Sequence, residues 1–166
     1  MTEKILVAVA WPYVNGPPHL GHIAGNTLPA DIFARFHRMI GNDVLMVSGS
    51  DQHGTPVALK AKEENVHPSS IAEKYHAIWK EMNQKMGFTF DIYTKTGTEN
   101  HKQVVQNLFL KIKENGFLTE KISEQPYSER LNMFMPDRYV IGTCNKCHKE
   151  TRGDQCETCN ITLDTK

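Results

Sequence analysis

Two histidines, His19 and His22, flank Leu20-Gly21 at the end of a Pro- and Gly-rich stretch, WPYVNGPPHLGH (residues 11–22). Imidazole N–H groups can follow negative charge as it builds on phosphate oxygens. A helix start adds free backbone N–H groups and a partial positive charge. Gly21 has no side chain, so a flat base can approach the backbone there, and Asn15-Gly16 supplies a tight bend. Together these describe a nucleotide cradle that uses neither a Walker A loop nor a dinucleotide fingerprint. The plain alternative is a strand-to-helix turn with two surface histidines, and spacing alone does not separate the two. A second stretch, SGSDQHGTP (48–56), holds a lone carboxylate, Asp51. It could receive a substrate ammonium, or it could be a solvated turn residue. The third set is Cys144-x2-Cys147-x8-Cys156-x2-Cys159. Two CxxC pairs suit tetrahedral Zn²⁺, each short turn aiming two thiolates at one point. Four sulfurs would close the shell and make the ion structural, with His148 a bystander. Disulfides or free redox thiols are the other readings.

The elements that must position these groups follow from apolar patterning. ILVAVA (5–10) is a short apolar run that reads as a strand buried on both faces. From His19 onward Leu20, Ile23, Leu28, Ile32, Phe33, Phe36 and Met39 recur at roughly helical spacing. Pro29 should kink or restart that helix, and Gly41-Asn42-Asp43 ends it. Val44–Val47 reads as a second strand. Strand, loop, helix, strand is a βαβ unit, which implies a right-handed crossover and a parallel sheet. Ligands then bind beyond the carboxyl ends of the strands, where loops 11–22 and 48–56 both fall. Further helices are expected over 57–64, from a Ser69 or Ser70 cap through about Met86, and over 99–114. Glu73 would complete a capping box with Ser70. Trp79, Met82 and Met86 read as packing residues. His37, His67, His76 and His101 read as surface or packing groups without partners, and the part played by His53 in its loop is open. From Phe117 the texture becomes short and strand-like, as in 138–141. The expected architecture is α/β: residues 1–116 form one half of a Rossmann-like domain, and 117–166 form an insertion with a knuckle at 144–159.

Lys plus Arg and Asp plus Glu both number 19, so charge gives no sign of a strongly basic nucleic-acid binder. No stretch is long and apolar enough to cross a bilayer, and the short apolar run near the N-terminus is broken by Trp11-Pro12, too early for a secretory signal. The expected compartment is the cytoplasm.

HLGH resembles the HIGH motif of the class I aminoacyl-tRNA synthetases. PYVNGPPHLGH after an apolar strand is similar to the branch that handles methionine, leucine, isoleucine and valine. GSDQHGTP is similar to the methionine members, and PDRYVIGTCNKCHKETRGDQCETC resembles their zinc-bearing connective insertion. The resemblance runs from Ile5 to the end. It implies that His19 and His22 act in catalysis by contacting ATP phosphates, and that Asn15, Gly16 and Gly21 complete the ATP site, Gly21 under the adenine. It implies that Asp51 binds the α-amino group of L-methionine, with Trp11, Pro12 and Tyr13 forming part of its pocket. The implied ions are structural Zn²⁺ on Cys144, Cys147, Cys156 and Cys159, and Mg²⁺ with the ATP. The implied activity is formation of methionyl-adenylate and transfer to the 3′ end of tRNA(Met). In the family a lysine-bearing KMSKS loop and an anticodon-reading domain follow the insertion. The chain by itself is therefore expected not to aminoacylate tRNA and to need a C-terminal remainder. The alternatives are a nucleotide- or tRNA-binding remnant without turnover, and a different nucleotidyl transferase sharing the HxGH loop.

Overall fold

The computed structural model describes residues 2–130, 132–136, 139–153, 155–156 and 158–163. The chain divides into two compact units, 1–114 and 115–166.

In the first unit β1 (Lys4–Ala8), β2 (Asp43–Ser50) and β3 (Ile92–Lys95) form a parallel sheet in the order β1-β2-β3. Leu6 pairs with Leu45, and Val47 with both Ala8 and Ile92. The crossover from β1 to β2 carries α1 (Leu20–His22) and α2 (Leu28–Met39). The crossover from β2 to β3 carries α3 (Thr55–Glu63) and α4 (Pro68–Lys85). Right-handed crossovers that advance in one direction put their helices on one face of the sheet. That face carries Ile5, Val7, Val9, Val44 and Met46, packed against Ala30 and Ala34 of α2 and against Phe90. A second cluster joins Val14 to Val57 and Ala61 of α3 and to Ile71, Ala72, Tyr75 and Trp79 of α4. The expected burial of β1 on both faces is not observed. Leu6 is 65% exposed, and its same-face neighbours Leu45 and Ile92 are 45% and 49% exposed. The reason is geometric, since every helix of these two crossovers lies on the opposite side. α5 (Glu99–Glu114) contributes no buried residue.

Several boundaries differ from expectation for identifiable reasons. The helical run from Leu20 restarts at Pro29, as expected, but through a π-turn: Ile23–Thr27 forms that turn, in which Leu28 N–H reaches Ile23 O, and α2 begins with proline in its first turn. A widened turn absorbs the missing proline N–H without ending the helix. β2 continues past Val47 to Ser50, where buried serines and a glycine replace the apolar run. β3 was not legible as a strand, being four residues with two polar ones. α4 is capped by His67, whose Nδ1 accepts from Ser69 N–H at 3.3 Å, and not by Ser69 or Ser70. Pro68 at the first helical position moves the start forward, and Glu73 has other partners. Met86 is half exposed at the end of α4 and not in the core, whereas Met82 packs on the α3–α4 cluster.

The second unit is built from two-stranded pieces: β4 (Tyr127–Ser128) with β5 (Met133–Phe134), β6 (Ile141–Thr143) with β7 (Glu150–Arg152), and β8 (Gln155–Cys156) with β9 (Ile161–Thr162), all antiparallel. Of the strand-like stretch expected over 138–141, Arg138 lies outside the described residues, as does Asp137 of the PDRY lead-in, and the strand observed begins at Ile141. Among the described residues no helix is long and apolar enough to cross a membrane.

Candidate active site

Sheet pairing continues beyond the end of β1 into the Pro-rich loop. Val9 N–H donates to Val47 O at 2.9 Å, Asp51 N–H to Pro12 O at 2.8 Å, and Val14 N–H to Asp51 O at 3.3 Å. Tyr13 and Asp51 thereby form a parallel bridge. Glycines of the second loop seat aromatics of the first. A Cβ on Gly49 would lie 2.8 Å from the Trp11 ring and 2.6 Å from Thr94 O, and one on Gly54 would lie 2.6 Å from the Tyr13 ring. Loops 11–22 and 48–56 therefore meet at the carboxyl rim of the sheet. The Asp51 carboxylate accepts from His53 N–H at 3.2 Å, closing a local turn. It is only partly exposed, and among the described residues no cation pairs with it.

The two imidazoles stack, with ring centres 3.6 Å apart. His22 Nδ1 faces His19 N–H at 3.3 Å. That nitrogen acts as the acceptor, which leaves the proton on Nε2, free to donate outward. Burial lowers the His22 pKa, and the neighbouring His19 lowers it further, so the stacked pair resists carrying two charges. Both rings open into a cleft of about 750 Å³, a size suited to a small-molecule site. Its walls include Trp11, Pro12, Tyr13, Asn15, Gly16, His19 and His22. Gly21 and Asp51 lie outside this lining; the Gly21 backbone is exposed beside the His19 ring.

Three residues of the site escaped the sequence reading. Asn26 lines the cleft and donates to Ala10 O at 3.3 Å. Trp79, expected only to pack, lines the cleft as well, donates through Nε1 to Gly16 O at 3.0 Å and meets His22 edge-on at 4.8 Å. His76, expected to lack a partner, faces Ser50 Oγ through Nδ1 at 2.8 Å. For His76 and Trp79 the available signal was the spacing 73, 76, 79 along α4, which places these side chains on one ridge, whereas Asn26 lies in the π-turn before α2.

In the second unit all four cysteine sulfurs lie within 4.8 Å of one another. Cys144 and Cys159 Sγ are 3.7 Å apart, and Cys147 and Cys156 Sγ 3.5 Å apart. These are too long for the ~2.05 Å disulfide bond, and all four thiols are free. Sulfurs ~2.3 Å from a tetrahedral metal lie about 3.8 Å from each other, so the cluster fits such an ion. The two turns repeat one design. His148 N–H returns to Cys144 O at 2.9 Å, and Asn160 N–H to Cys156 O at 2.8 Å. Both residues have positive φ, 58° and 52°, a region where His and Asn are enriched. His148 thus serves the turn and stands outside the four-sulfur group. The backbone N–H of Cys159 points at the Cys156 sulfur and is the largest influence lowering its pKa, to about 6. The N–H of Cys147 likewise lowers that of Cys144. Such donors favour thiolates, the form that binds metal, on Cys144 and Cys156, whereas burial and the neighbouring sulfurs push Cys159 up to about 12 and Cys147 is raised as well.

Comparison with known proteins fixes the family. The model for "tRNA synthetases class I (M)" matches residues 5–166. The chain belongs to this family. It is 50% identical over 160 residues to a methionine--tRNA ligase of Roseiflexus castenholzii, covering 96% of this chain and 27% of the relative. A methionine--tRNA ligase of Dehalococcoides mccartyi is 48% identical over 165 residues, 99% of this chain and 30% of its own length. The solved Mycobacterium tuberculosis methionyl-tRNA synthetase in complex with methionyl-adenylate shares the fold, with a TM-score of 0.73 at 22% identity, covering 92% of this chain and 32% of that one. The chain thus spans under a third of the length of these relatives.

Proposed function

We propose that this chain supplies the first half of the methionine and ATP site of a methionine--tRNA ligase, and that its second unit is the start of a connective insertion built on structural zinc. The observation that carries the reading is the interlock of the two loops, which brings Asp51 within one backbone bridge of Tyr13 while His19 and His22 open into the adjoining cleft. Triphosphate and amino acid can lie side by side across that seam.

The chemistry asks the protein for positioning and charge stabilisation, with no covalent intermediate. Asp51 accepts the methionine ammonium and turns its carboxylate toward the nucleotide. Trp11, Tyr13 and Pro12 wall the side chain, and aromatic contact with sulfur adds to shape in separating a thioether from aliphatics. ATP enters as its Mg²⁺ complex over Asn15, Gly16 and Gly21. A methionine carboxylate oxygen forms a bond to the α-phosphorus as the bond to the departing pyrophosphate breaks. His22 Nε2–H and the His19 imidazole donate to the phosphate oxygens as charge grows there. The terminal ribose hydroxyl of tRNA(Met) then attacks the methionyl carbonyl, and AMP leaves. Zinc on Cys144, Cys147, Cys156 and Cys159 would supply cross-linking and no chemistry. The uncovered sheet face around Leu6, Leu45 and Ile92, and the unburied α5, suit coverage by the remainder of a longer enzyme. Translation is the setting this activity serves, and the compartment proposed for it is the cytoplasm.

Methionine-dependent ATP–pyrophosphate exchange tests the reading. In the full enzyme, exchange should proceed with methionine and fall by about a hundredfold or more in His22→Ala, the scale for losing one preorganised donor. Asp51→Asn should raise the KM for methionine. The isolated chain should show no exchange. Exchange driven by leucine, isoleucine or valine in place of methionine would overturn the substrate assignment, and robust exchange by the isolated chain would overturn the division of the site.

A further inference from the structure

Both loops are tied to a single helix. Along α4, Glu73, His76 and Trp79 follow one another at intervals of three and share a ridge. Each reaches a different part of the seam. Glu73 Oε1 accepts from Gln52 Nε2 at 3.2 Å and is itself held by Lys95 Nζ at 2.7 Å and, through Oε2, at 2.6 Å. His76 Nδ1 meets Ser50 Oγ at 2.8 Å, and its ring stacks on Tyr93. Trp79 holds Gly16 O and borders His22. Ser50 is fully buried and Gln52 nearly so. Asp51 is therefore the residue left partly exposed between two neighbours whose side chains α4 anchors, while the third anchor fixes the loop that carries the imidazoles.

We propose that Glu73, His76 and Trp79 form a positioning ridge that holds the Asp51 loop and the His19–His22 loop in register, so that α4 sets the spacing between the amino-acid and nucleotide subsites. None of the three needs to touch a reacting atom. His76 and Glu73 act through Ser50 and Gln52 on the direction of the Asp51 carboxylate, and Trp79 acts through Gly16 on the cleft wall. The inference rests on the ligase reading for what the two subsites bind, but the mechanical claim can be read without any ligand.

The seam has its own reporters, the amides of Val14 and Asp51, which bond across the two loops. Val9 and Asp91 N–H bond within the sheet, to Val47 O and Met46 O, and serve as controls. Hydrogen exchange is followed residue by residue in this chain. Trp79→Phe keeps an aromatic ring but removes the donor. Protection at Val14 should fall about tenfold or more, with Val9 and Asp91 within about twofold of wild type. His76→Ala should release Asp51 N–H by a similar factor. His76→Asn, which can again bond Ser50, should restore it. Unchanged protection at Val14 and Asp51, or a parallel loss at Val9 and Asp91, would overturn the proposal, as would failure of His76→Asn to rescue. If Trp79→Phe does not fold, the His76 pair decides. In the full enzyme His76→Ala should raise the KM for methionine more than that for ATP, with Trp79→Phe doing the reverse, and equal effects on both would overturn the division of labour. An enzyme that activates no methionine, yet shows the exchange pattern, would overturn the ligase reading and leave the ridge standing.

Discussion

The first unit of this chain is held together by what it hides from water, whereas the second gathers four sulfurs that fit a shared ion. Residues 1–114 bury two apolar clusters, one under the sheet and one between α3 and α4. In residues 115–166 the buried apolar residues, among those described, are Cys144 and Cys156, and the strands are only two or three residues long. A unit of that size and composition has too little apolar burial to offset chain entropy. The difference predicts that the same perturbation will act on one unit and spare the other.

Metal removal should produce the largest effect. Binding of structural zinc in small cysteine-rich peptides is worth ~10–16 kcal/mol, and that binding energy is folding energy. A strong chelator at neutral pH should collapse the chemical-shift dispersion of residues 141–162 while the resonances of β1, β2 and α4 keep their positions. Metal analysis should find one zinc per chain. A second unit that keeps its spectrum without metal would erase the contrast between the two regions.

Met46→Ala is the converse perturbation. Met46 is fully buried in β2 against α2, and truncating such a side chain costs about 2–5 kcal/mol. The melting temperature of the first unit should drop by several degrees with zinc content unchanged. Loss of zinc along with the melting shift would mean that the two units fold as one.

How far the sequence was legible divides along the same line. The knuckle could be read almost completely, because four cysteines at fixed spacing are a local signal. What was missed there is the use of His148 and Asn160 at positive φ to close the two turns. In the first unit the periodic runs gave α2, α5 and the parallel sheet, and the loops 11–22 and 48–56 do meet at one rim. The ridge of α4 was not legible. Glu73, His76 and Trp79 reveal their partners only once residues 16, 50 and 52 have been brought close by the sheet, over separations of 21 to 63 residues. The open sheet face also went unseen, because an apolar run does not say whether its cover lies in the same stretch of chain.

A smaller effect, confined to the first unit, comes from Asp31. It is buried in α2 and accepts from Thr89 N–H, Thr89 Oγ1 and Arg35 Nε, each at 2.6 Å. Burial alone would raise its pKa. The hydrogen bonds from the Thr89 hydroxyl, Arg35 and the Thr89 backbone, with the Arg35 charge, together hold it below the ordinary value. A lowered carboxylate contributes stability that is complete above its unfolded pKa and is lost as pH falls through the folded one. Asp31→Asn should cost about 1.5–3 kcal/mol near neutrality, the range for hydrogen bonds to a charged group. The gap to wild type should narrow as pH drops below about 4. Denaturant titration at neutral and acid pH checks this, and a gap independent of pH would remove the charge argument.

The smallest effect separates His76 from the rest of its surroundings. Burial lowers its pKa most, Lys95 lowers it further, Glu73 opposes, and Lys80 lowers it slightly. The folded state therefore prefers the neutral ring. The contribution is complete above the unfolded value near 6.5 and is lost as pH falls from there toward the folded value. Unfolding free energy of the wild type should decline between about pH 7.5 and 5 by more than that of His76→Asn, which cannot titrate but can still bond Ser50. Lys95, Lys80 and Glu73 remain in both proteins, so the difference in slope belongs to the imidazole alone. Chelation leaves this slope untouched if the contrast between the two regions holds, because the partners of His76 described above, Ser50 and Tyr93, belong to the first unit. Identical slopes in the two proteins would mean that His76 is as solvated in the fold as out of it, and the middle anchor of the α4 ridge would be lost.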